Sequence, residues 1–351
     1  MLDSIIVGFG IAGLNYAEQL RKQNKAFCVI APKDKSASHV AAGIINPTVL
    51  KRYNPVWKSE EFLHHALQSY DEIQKSLSDQ ILYSKPIYRI LNSILEQNEW
   101  SVAASKPLLE KYLTADLISS ETLTHIQSPF GYGEVHCSAR IATEKLIETY
   151  LKETIKERLI VDEVDYSELY FQENSVSFKD IKAKKIVFCE GFHSVNNPLF
   201  NYLPLVGSKG EMLFIESNEL SEEVIIKGPI FIVPLGKNQF WVGATFNRTD
   251  KTSITSEEGK NWLIKKLQQN LLADYKIIDH KAQVRATVVD RRPLLGRHPK
   301  HQNAYILNGL GTRGVMMSPL LSQWLYEYIE GNSKLPPEVD IKRFENHYFR
   351  N

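Results

Sequence analysis

Apolar positions along the chain follow two rhythms. Short unbroken runs alternate with stretches in which apolar residues recur every three or four positions. Ser4–Val7 is an apolar run closed by glycine, the pattern of a buried parallel strand. Leu14, Ala17 and Leu20 then repeat at helical spacing and predict a helix over Leu14–Gln23, and Ala26–Ala31 reads as a second buried strand. Glu60–Leu77 is amphipathic, with Phe62, Ala66, Tyr70 and Ile73 on one face. Ile81–Leu91 and Gly133–Cys137 read as extended, Ala139–Tyr150 as helix, and Ala183–Cys189 as a strand ending in Glu190-Gly191. Residues 206–246 are strand-rich: Met212–Ile215, Ile230–Val233 and Phe240–Ala244, the last two joined by a hairpin-like connection from Pro234 to Gln239. Glu257–Leu272 is helical, Tyr305–Leu307 a strand and Leu320–Ile329 a helix. Strand–helix units at both ends with antiparallel-looking strands between them predict an α/β fold whose domains interleave along the sequence.

Composition narrows the class. A length of 351 residues suits two domains, and 43% apolar with 24% charged residues is ordinary globular composition. Lys+Arg 42 against Asp+Glu 41 leaves a net charge of +1, so nothing global draws the chain to nucleic acid or an anionic membrane. Cys28, Cys137 and Cys189 are odd in number and far apart, which disfavours a disulfide framework and points to a reducing compartment. The sequence has no apolar run of the roughly 18–20 residues a spanning helix needs. Asp3 stands where a signal peptide carries positive charge, so the expected location is the cytoplasm. Nothing in the pattern fixes an oligomeric state.

The chemistry begins between the first two strands, at Gly8-Phe9-Gly10-Ile11-Ala12-Gly13. In this motif the first glycine permits the turn, the second lets backbone approach a pyrophosphate, and the third lets helix pack on strand with its N-terminus aimed at phosphate. One element is missing. Ala31 occupies the strand end where an acid usually holds a ribose hydroxyl, and Pro32-Lys33-Asp34-Lys35 follows. Two lysines there leave open a 2′-phosphate, as in NADP, or a swing of Asp34 back to the ribose. Small residues around Gly43 mark backbone running close to a ligand, and Gly309-Leu310-Gly311-Thr312-Arg313-Gly314 forms a second glycine-rich turn.

Taken together, these segments resemble the FAD-dependent D-amino-acid oxidase superfamily, which includes glycine and sarcosine oxidases. Within it they look most like a branch that oxidises the carboxymethylaminomethyl group on a tRNA wobble uridine. The resemblance covers nearly the whole chain. It is carried by the first glycine motif, Ala41–Pro47, Gly133–Arg140, Val187–Gly191, Lys209–Met212, Ile232–Thr245, Arg285–Gly296 and Gly309–Pro319. It implies a Rossmann-like FAD-binding domain with a parallel sheet (1–78, 139–204 and 285–351) and a substrate domain with a large mixed or antiparallel sheet (79–138 and 205–284). It implies non-covalent FAD held by Gly8, Phe9, Gly10, Ile11, Ala12, Gly13, Ala31, Pro32, Ala42, Gly43, Ile44, Val164, Glu190, Gly191, Gly309, Gly311, Thr312, Arg313, Gly314 and Val315. His39 lies near the flavin-side segment without a linkage motif.

The implied reaction is hydride transfer from the α-carbon of a carboxylate-bearing amine, followed by imine hydrolysis. Arg285 takes the place of the arginine that holds the substrate carboxylate, and Arg313 stands as a further catalytic candidate. The alternative for Arg285 is an ion pair with Asp290. Phe231 stands where the family often carries tyrosine, which weakens glycine itself as substrate. The expected partner is a small-molecule amine, with tRNA as a second possibility and no membrane. The basic cluster Arg291, Arg292, Arg297, His298 and Lys300 is either an RNA contact or a solvated loop. His64-His65 and His298/His301 lack acidic or cysteine partners at ligand spacing, so no metal is expected. A non-catalytic flavin- or NADP-binding protein is the remaining reading.

Overall fold

In a computed structural model, which describes residues 1–350, the chain builds two large sheets, each with its own layer of helices. The first sheet has eight strands: β10 (Leu159–Val161), β2 (Phe27–Ala31), β1 (Leu2–Val7), β13 (Ile181–Phe188), β12 (Ser175–Phe178) and β11 (Leu169–Gln172) in that order, with β20 (Ala304–Asn308) also on β13 and β19 (Leu294–Arg297) on β20. The core of it is parallel: β10, β2, β1, β13 and β20 run the same way. Residues 4–7 of β1 and all of β2 and β20 are buried on both faces, as continuous apolar runs require when helices cover the sheet.

The second sheet has seven strands, β18 (Lys276–Val288), β14 (Leu205–Glu216), β17 (Gln239–Gly243), β16 (Phe231–Gly236), β15 (Ile225–Lys227), β7 (Ile87–Ile90) and β8 (Tyr132–Val135). All its neighbours are antiparallel except β15 with β7. The β16–β17 connection closes on Lys237 and Asn238, both with φ near +57° (56° and 58°), the backbone of a two-residue hairpin turn. Two small sheets fill the space between: β3 (Ile44–Ile45), β9 (Ala139–Ile141) and β6 (Leu82–Ser84), and the hairpin β4 (Thr48–Val49) with β5 (Asn54–Pro55).

The helices are α1 (Ile11–Lys22), α2 (Ser59–Lys75), α3 (Ile94–Ala104), α4 (Thr143–Glu153), α5 (Glu257–Leu267), α6 (Gly314–Ile329) and α7 (Glu345–Arg350). Helices α1, α2 and α6 pack together on the first sheet. Alternation along the second sheet separates its faces. Met212, Ile225, Val233, Trp241, Ile87 and Val135 join the core that also holds α1, α2 and α6, whereas Leu213, Ile215, Ile226, Ile232, Phe240 and Val242 pack under α5. One face of the antiparallel sheet therefore looks toward the parallel one. Trp241 Nε1 donates to Val40 O (2.9 Å) and Gln283 Nε2 to Lys35 O (3.0 Å) across the junction.

Several element boundaries differ from the sequence reading: β14 starts at Leu205 rather than Met212, β16 runs on to Gly236 and shortens the hairpin connection, and four more concern helices and a strand. Helix α1 begins at Ile11, directly after Gly10, rather than at Leu14. Ala139–Ile141 is a strand, because Arg140 pairs with Ile44 on one side and Tyr83 on the other, and the helix starts only at Thr143. Helix α5 ends at Leu267 instead of reaching Leu272. Helix α6 starts at Gly314 and runs through Pro319. A proline there removes the N–H that would reach Val315 O, and Tyr70 Oη donates to that carbonyl instead (2.8 Å).

Candidate functional site

Parallel strands place their carboxyl ends on one edge, and an open α/β sheet binds ligands there. Ala31, Val7, Phe188 and Asn308 end adjacent strands, so the turns that follow them lie side by side. These turns are Gly8–Gly13, Pro32–His39, Cys189–Asn196 and Gly309–Gly314. β10 ends beside Ala31, with Asp162 N donating to Ala31 O (3.1 Å), and Val164, three residues further on, packs against the core cluster that holds Val7 and Ile30. The cofactor residues implied by the sequence thus come from distant segments to one rim.

The first turn is compressed. Gly8 has φ +90°, and a Cβ on it would lie 2.7 Å from Cys189 O; a Cβ on Gly13 would collide with Gly8 O. Gly10 precedes α1 with no side-chain cap, and the first turn of the helix holds no acidic residue. Its amide end is open to an anion apart from Ile11 N, which donates to Ser38 Oγ (3.0 Å). Ser38 is a site residue the glycine pattern does not signal. Gly43, at φ +76°, presses on Ile141 O, which fixes Ala42–Ile44 against β9.

The far turns are open. Gly191 (φ +59°) and Gly311 (φ +57°) have nothing within 4 Å of where a Cβ would project, so backbone lies bare to the rim. Asn308 ties the two turns together: its Nδ2 donates to Gly191 O (2.8 Å) and Ser194 Oγ (2.7 Å), and its Oδ1 accepts from Gly309 N (2.8 Å). Glu190 turns its carboxylate inward, accepting from Tyr166 Oη (2.7 Å), Ser194 Oγ (3.2 Å) and Asn197 Nδ2 (2.8 Å). Burial raises its pKa against the pull of those donors. Glu190 accordingly offers the rim its backbone rather than its charge.

The lysines after Ala31 do not form a phosphate clamp. Lys35 Nζ is 2.5 Å from Glu144 and 3.4 Å from Glu148 on α4, and Lys33 and Asp34 point to solvent. His39 Nδ1 accepts from Ser36 N (3.0 Å), and burial lowers its pKa.

Arg285 sits on β18 opposite Ser208, on the face turned toward the parallel sheet. Its strand packs against both the Gly191–Asn196 and Gly311–Arg313 turns. The guanidinium lies over Gly210, where any Cβ would strike it. Nη1 is buried and has no hydrogen-bond partner among the described residues, and neither has Ser208 Oγ. Burial lowers the Arg285 pKa. The alternative partner is taken, since Asp290 pairs with Arg343 (2.8 Å). Arg313 is spent differently. Nη1 donates to Asn46 O (2.7 Å) and Nη2 to Thr48 O (3.0 Å), so it straps the segment after Gly43 to the start of α6. Burial brings its pKa down to about 10.

The basic loop is not one surface. His298 is buried, accepts from Lys300 N (3.1 Å) and His301 N (3.0 Å), and has its pKa lowered to about 4, mainly by burial. Arg292 stacks on Trp57, its guanidinium carbon 4.8 Å from the ring centroid, while Arg291 and Arg297 are exposed. No group of three His, Cys, Asp or Glu among the described residues is arranged to hold a metal. Among the described residues, no helix is long and apolar enough to cross a membrane. The described cysteines are free.

A helix amide end engaged only at Ile11 N by Ser38, two bare glycine turns on one strand edge, and a buried arginine with an unpartnered Nη1 facing them are the features of a dinucleotide-binding rim. The comparison with known families agrees and is more specific. Residues 3–328 match the FAD dependent oxidoreductase (DAO) family, and the chain belongs to it. The tRNA 5-methylaminomethyl-2-thiouridine biosynthesis bifunctional protein MnmC of Legionella pneumophila (strain Lens) is 23% identical, over 97% of this chain and 56% of that protein. The chain spans about half the length of such full-coverage curated relatives. Among solved structures, glycine oxidase from Bacillus cereus superposes with a TM-score of 0.79 at 17% identity, covering 95% of this chain and 96% of that one. Iminodiacetate oxidase from Chelativorans sp. superposes with a TM-score of 0.78 at 17% identity, covering 97% and 98%. The protein is an FAD-dependent oxidoreductase, and the rim fits that cofactor: an uncapped helix end for pyrophosphate, and glycines with no side-chain obstruction beyond it.

Proposed function

We propose that the protein oxidises an amine that bears an α-carboxylate, of amino-acid or N-substituted glycine type. The observation that carries this is Arg285: a desolvated guanidinium with an unused donor, facing the cofactor rim and paired with no carboxylate among the described residues. A buried cation without a counter-ion is costly, and a ligand carboxylate relieves that cost with a forked pair of hydrogen bonds.

In this reading FAD is bound non-covalently by Gly8–Gly13 with Ser38 at the pyrophosphate, by Ala31, Pro32, Val164 and the Glu190-Gly191 backbone at the adenosine end, and by Ala42–Ile44 with Gly309–Val315 at the flavin end. Bound FAD supplies the two-electron acceptor for the substrate α-C–H. Arg285 holds the carboxylate and thereby orients that C–H, with Gly210 leaving room for the guanidinium. Arg313 positions the Asn46–Thr48 backbone rather than the substrate. The second glycine turn brings backbone N–H groups to the rim, where they favour negative charge. The amine must be neutral to give up hydride, so the rate rises with pH through the amine's pKa.

Anaerobic mixing of the holoenzyme with glycine, N-methylglycine, iminodiacetate and larger N-substituted glycines tests this, with bleaching of the flavin band as the readout. Bleaching by at least one carboxylate-bearing amine is expected. A flavin band that no such amine bleaches defeats the reading. A second reading, a carboxymethylaminomethyl group on tRNA, is favoured by the relative from Legionella pneumophila, whose name places it in the biosynthesis of tRNA 5-methylaminomethyl-2-thiouridine, an amine that loss of a carboxymethyl group would leave. Nucleoside analysis of tRNA incubated with the enzyme then shows loss of the carboxymethyl group.

A further inference from the structure

Beside Arg285 stands a second donor that the protein leaves unused. Ser208 lies directly opposite Arg285 in the β14–β18 pair, so both side chains leave the sheet on one face, with Cβ atoms roughly 5 Å apart. Ser208 is 2% exposed, and its hydroxyl has no hydrogen-bond partner among the described residues. A hydroxyl rotor ordinarily finds a nearby backbone group when buried. Ser217, just past the other end of the same strand, does so by donating to Asp274 O (2.7 Å). An unpaired hydroxyl in the interior is costly unless a ligand pairs with it.

The position of this hydroxyl along the strand is informative. β14 starts at the cofactor rim, where a Cβ on Gly207 would strike the Phe192 ring of the Gly191–Asn196 turn. The Arg285 guanidinium does not stay level with Ser208. It lies over Gly210, two residues further from the rim. Ser208 Oγ therefore sits between the guanidinium and the rim. Two residues of strand span roughly 6.8 Å. One carboxylate covers that gap, with two hydrogen bonds of about 2.8 Å and about 2 Å between its oxygens. On the guanidinium's side of Ser208 the other donors are absent or spent. Gly210 and Met212 carry none, Gln283 Nε2 donates to Lys35 O and Trp241 Nε1 to Val40 O.

We infer that Ser208 is a second ligand of the substrate carboxylate, with its Oγ–H and Arg285 Nη1 each donating to one carboxylate oxygen. This rests on the amine-oxidation reading and adds orientation to it. A carboxylate held by one side chain swings about that contact. A second donor from the neighbouring strand fixes its plane, and with it the direction of the α-C–H.

The test uses the holoenzyme and acetate, a bare carboxylate, with perturbation of the flavin absorption band as the readout. Ser208→Ala is expected to raise the acetate dissociation constant about tenfold, the scale of one hydrogen bond to a charged group. A flavin titration is expected to give unchanged FAD affinity. The thermal midpoint is expected to be no lower than that of the wild type, because the hydroxyl bonds nothing in the protein. A lower midpoint with acetate affinity unmoved makes Ser208 a packing residue and overturns the inference. Weaker FAD binding with acetate affinity unmoved gives the hydroxyl to the cofactor and overturns it too. Either result leaves amine oxidation standing. A wild-type flavin band that acetate does not perturb also overturns the inference. If, in addition, no carboxylate-bearing amine bleaches that band, the reading beneath it falls as well.

Discussion

Arg285 owes its proposed role to what surrounds it: strand backbone on both sides, a glycine beneath, and no carboxylate within reach. Replacing Arg285 with methionine is expected to lower kcat/KM for a carboxylate-bearing amine by roughly 100-fold, the scale of losing a charge-assisted pair. Gly210→Ala is expected to raise KM about tenfold with FAD affinity unchanged, because the new methyl group displaces the guanidinium without touching the cofactor rim. Steady-state kinetics and a flavin titration separate these effects. Asp290→Asn, in contrast, cuts the Arg343 ion pair on the surface and is expected to leave kcat/KM unchanged and to cost no more than about 1 kcal/mol of stability, measured by denaturant unfolding. The residue type at 285 was legible in the sequence. Its freedom from Asp290 was not, because Arg343 competes for that acid from far along the chain. Nor was Ser208, whose place opposite Arg285 is set by strand pairing alone.

Among the elements, α6 shows how a helix and a site are built together. Its first turn is the second glycine turn, and Pro319 leaves Val315 O without a helical donor. Tyr70, reaching across from α2, supplies one, and Asn15 Nδ2 on α1 bonds both Tyr70 Oη (3.3 Å) and Ser318 Oγ (2.9 Å). Tyr70→Phe leaves that buried carbonyl unsatisfied. It is expected to cost about 1–3 kcal/mol in chemical denaturation and to weaken FAD binding through the turn that starts the helix. Proline made a start at Leu320 the natural reading, since sequence spacing carries no sign of a tyrosine donor 249 positions earlier. The strand at Ala139–Ile141 escaped for a related reason: its pairing partners, Ile44 and Tyr83, lie in other parts of the chain. A pH effect belongs to this scale too. His298 is held neutral beside the aromatic rings of Tyr202 and Tyr348, with its pKa lowered from 6.5 to about 4, mainly by burial. A depressed folded-state pKa adds stability that is present above 6.5 and is lost as pH falls toward 4. The thermal midpoint is expected to drop across that window in the wild type, and more shallowly in His298→Gln, as followed by calorimetry.

At the level of the whole molecule, two sheets of opposite habit meet along a seam that the Trp241–Val40 and Gln283–Lys35 hydrogen bonds stitch. The segment they hold, residues 35–43, is the one that places Ser38 at the α1 amide end. The parallel layer was readable from its glycine turns and apolar runs. The facing of the second sheet was readable only in part, because antiparallel alternation says which residues share a side but not what that side meets. The order of pairing has a further consequence for biosynthesis. The central strand β13 joins β1 to β20, so Ile6 and Val187 wait for Tyr305 before the layer is whole. A nascent chain therefore leaves the β20-facing edge of β13 unpaired until Tyr305 has been made, and contacts so distant in sequence form slowly. In the proposed binding mode, capture of FAD waits for the Gly309–Gly314 turn that follows β20, so an N-terminal fragment ending before it is expected to bind no flavin.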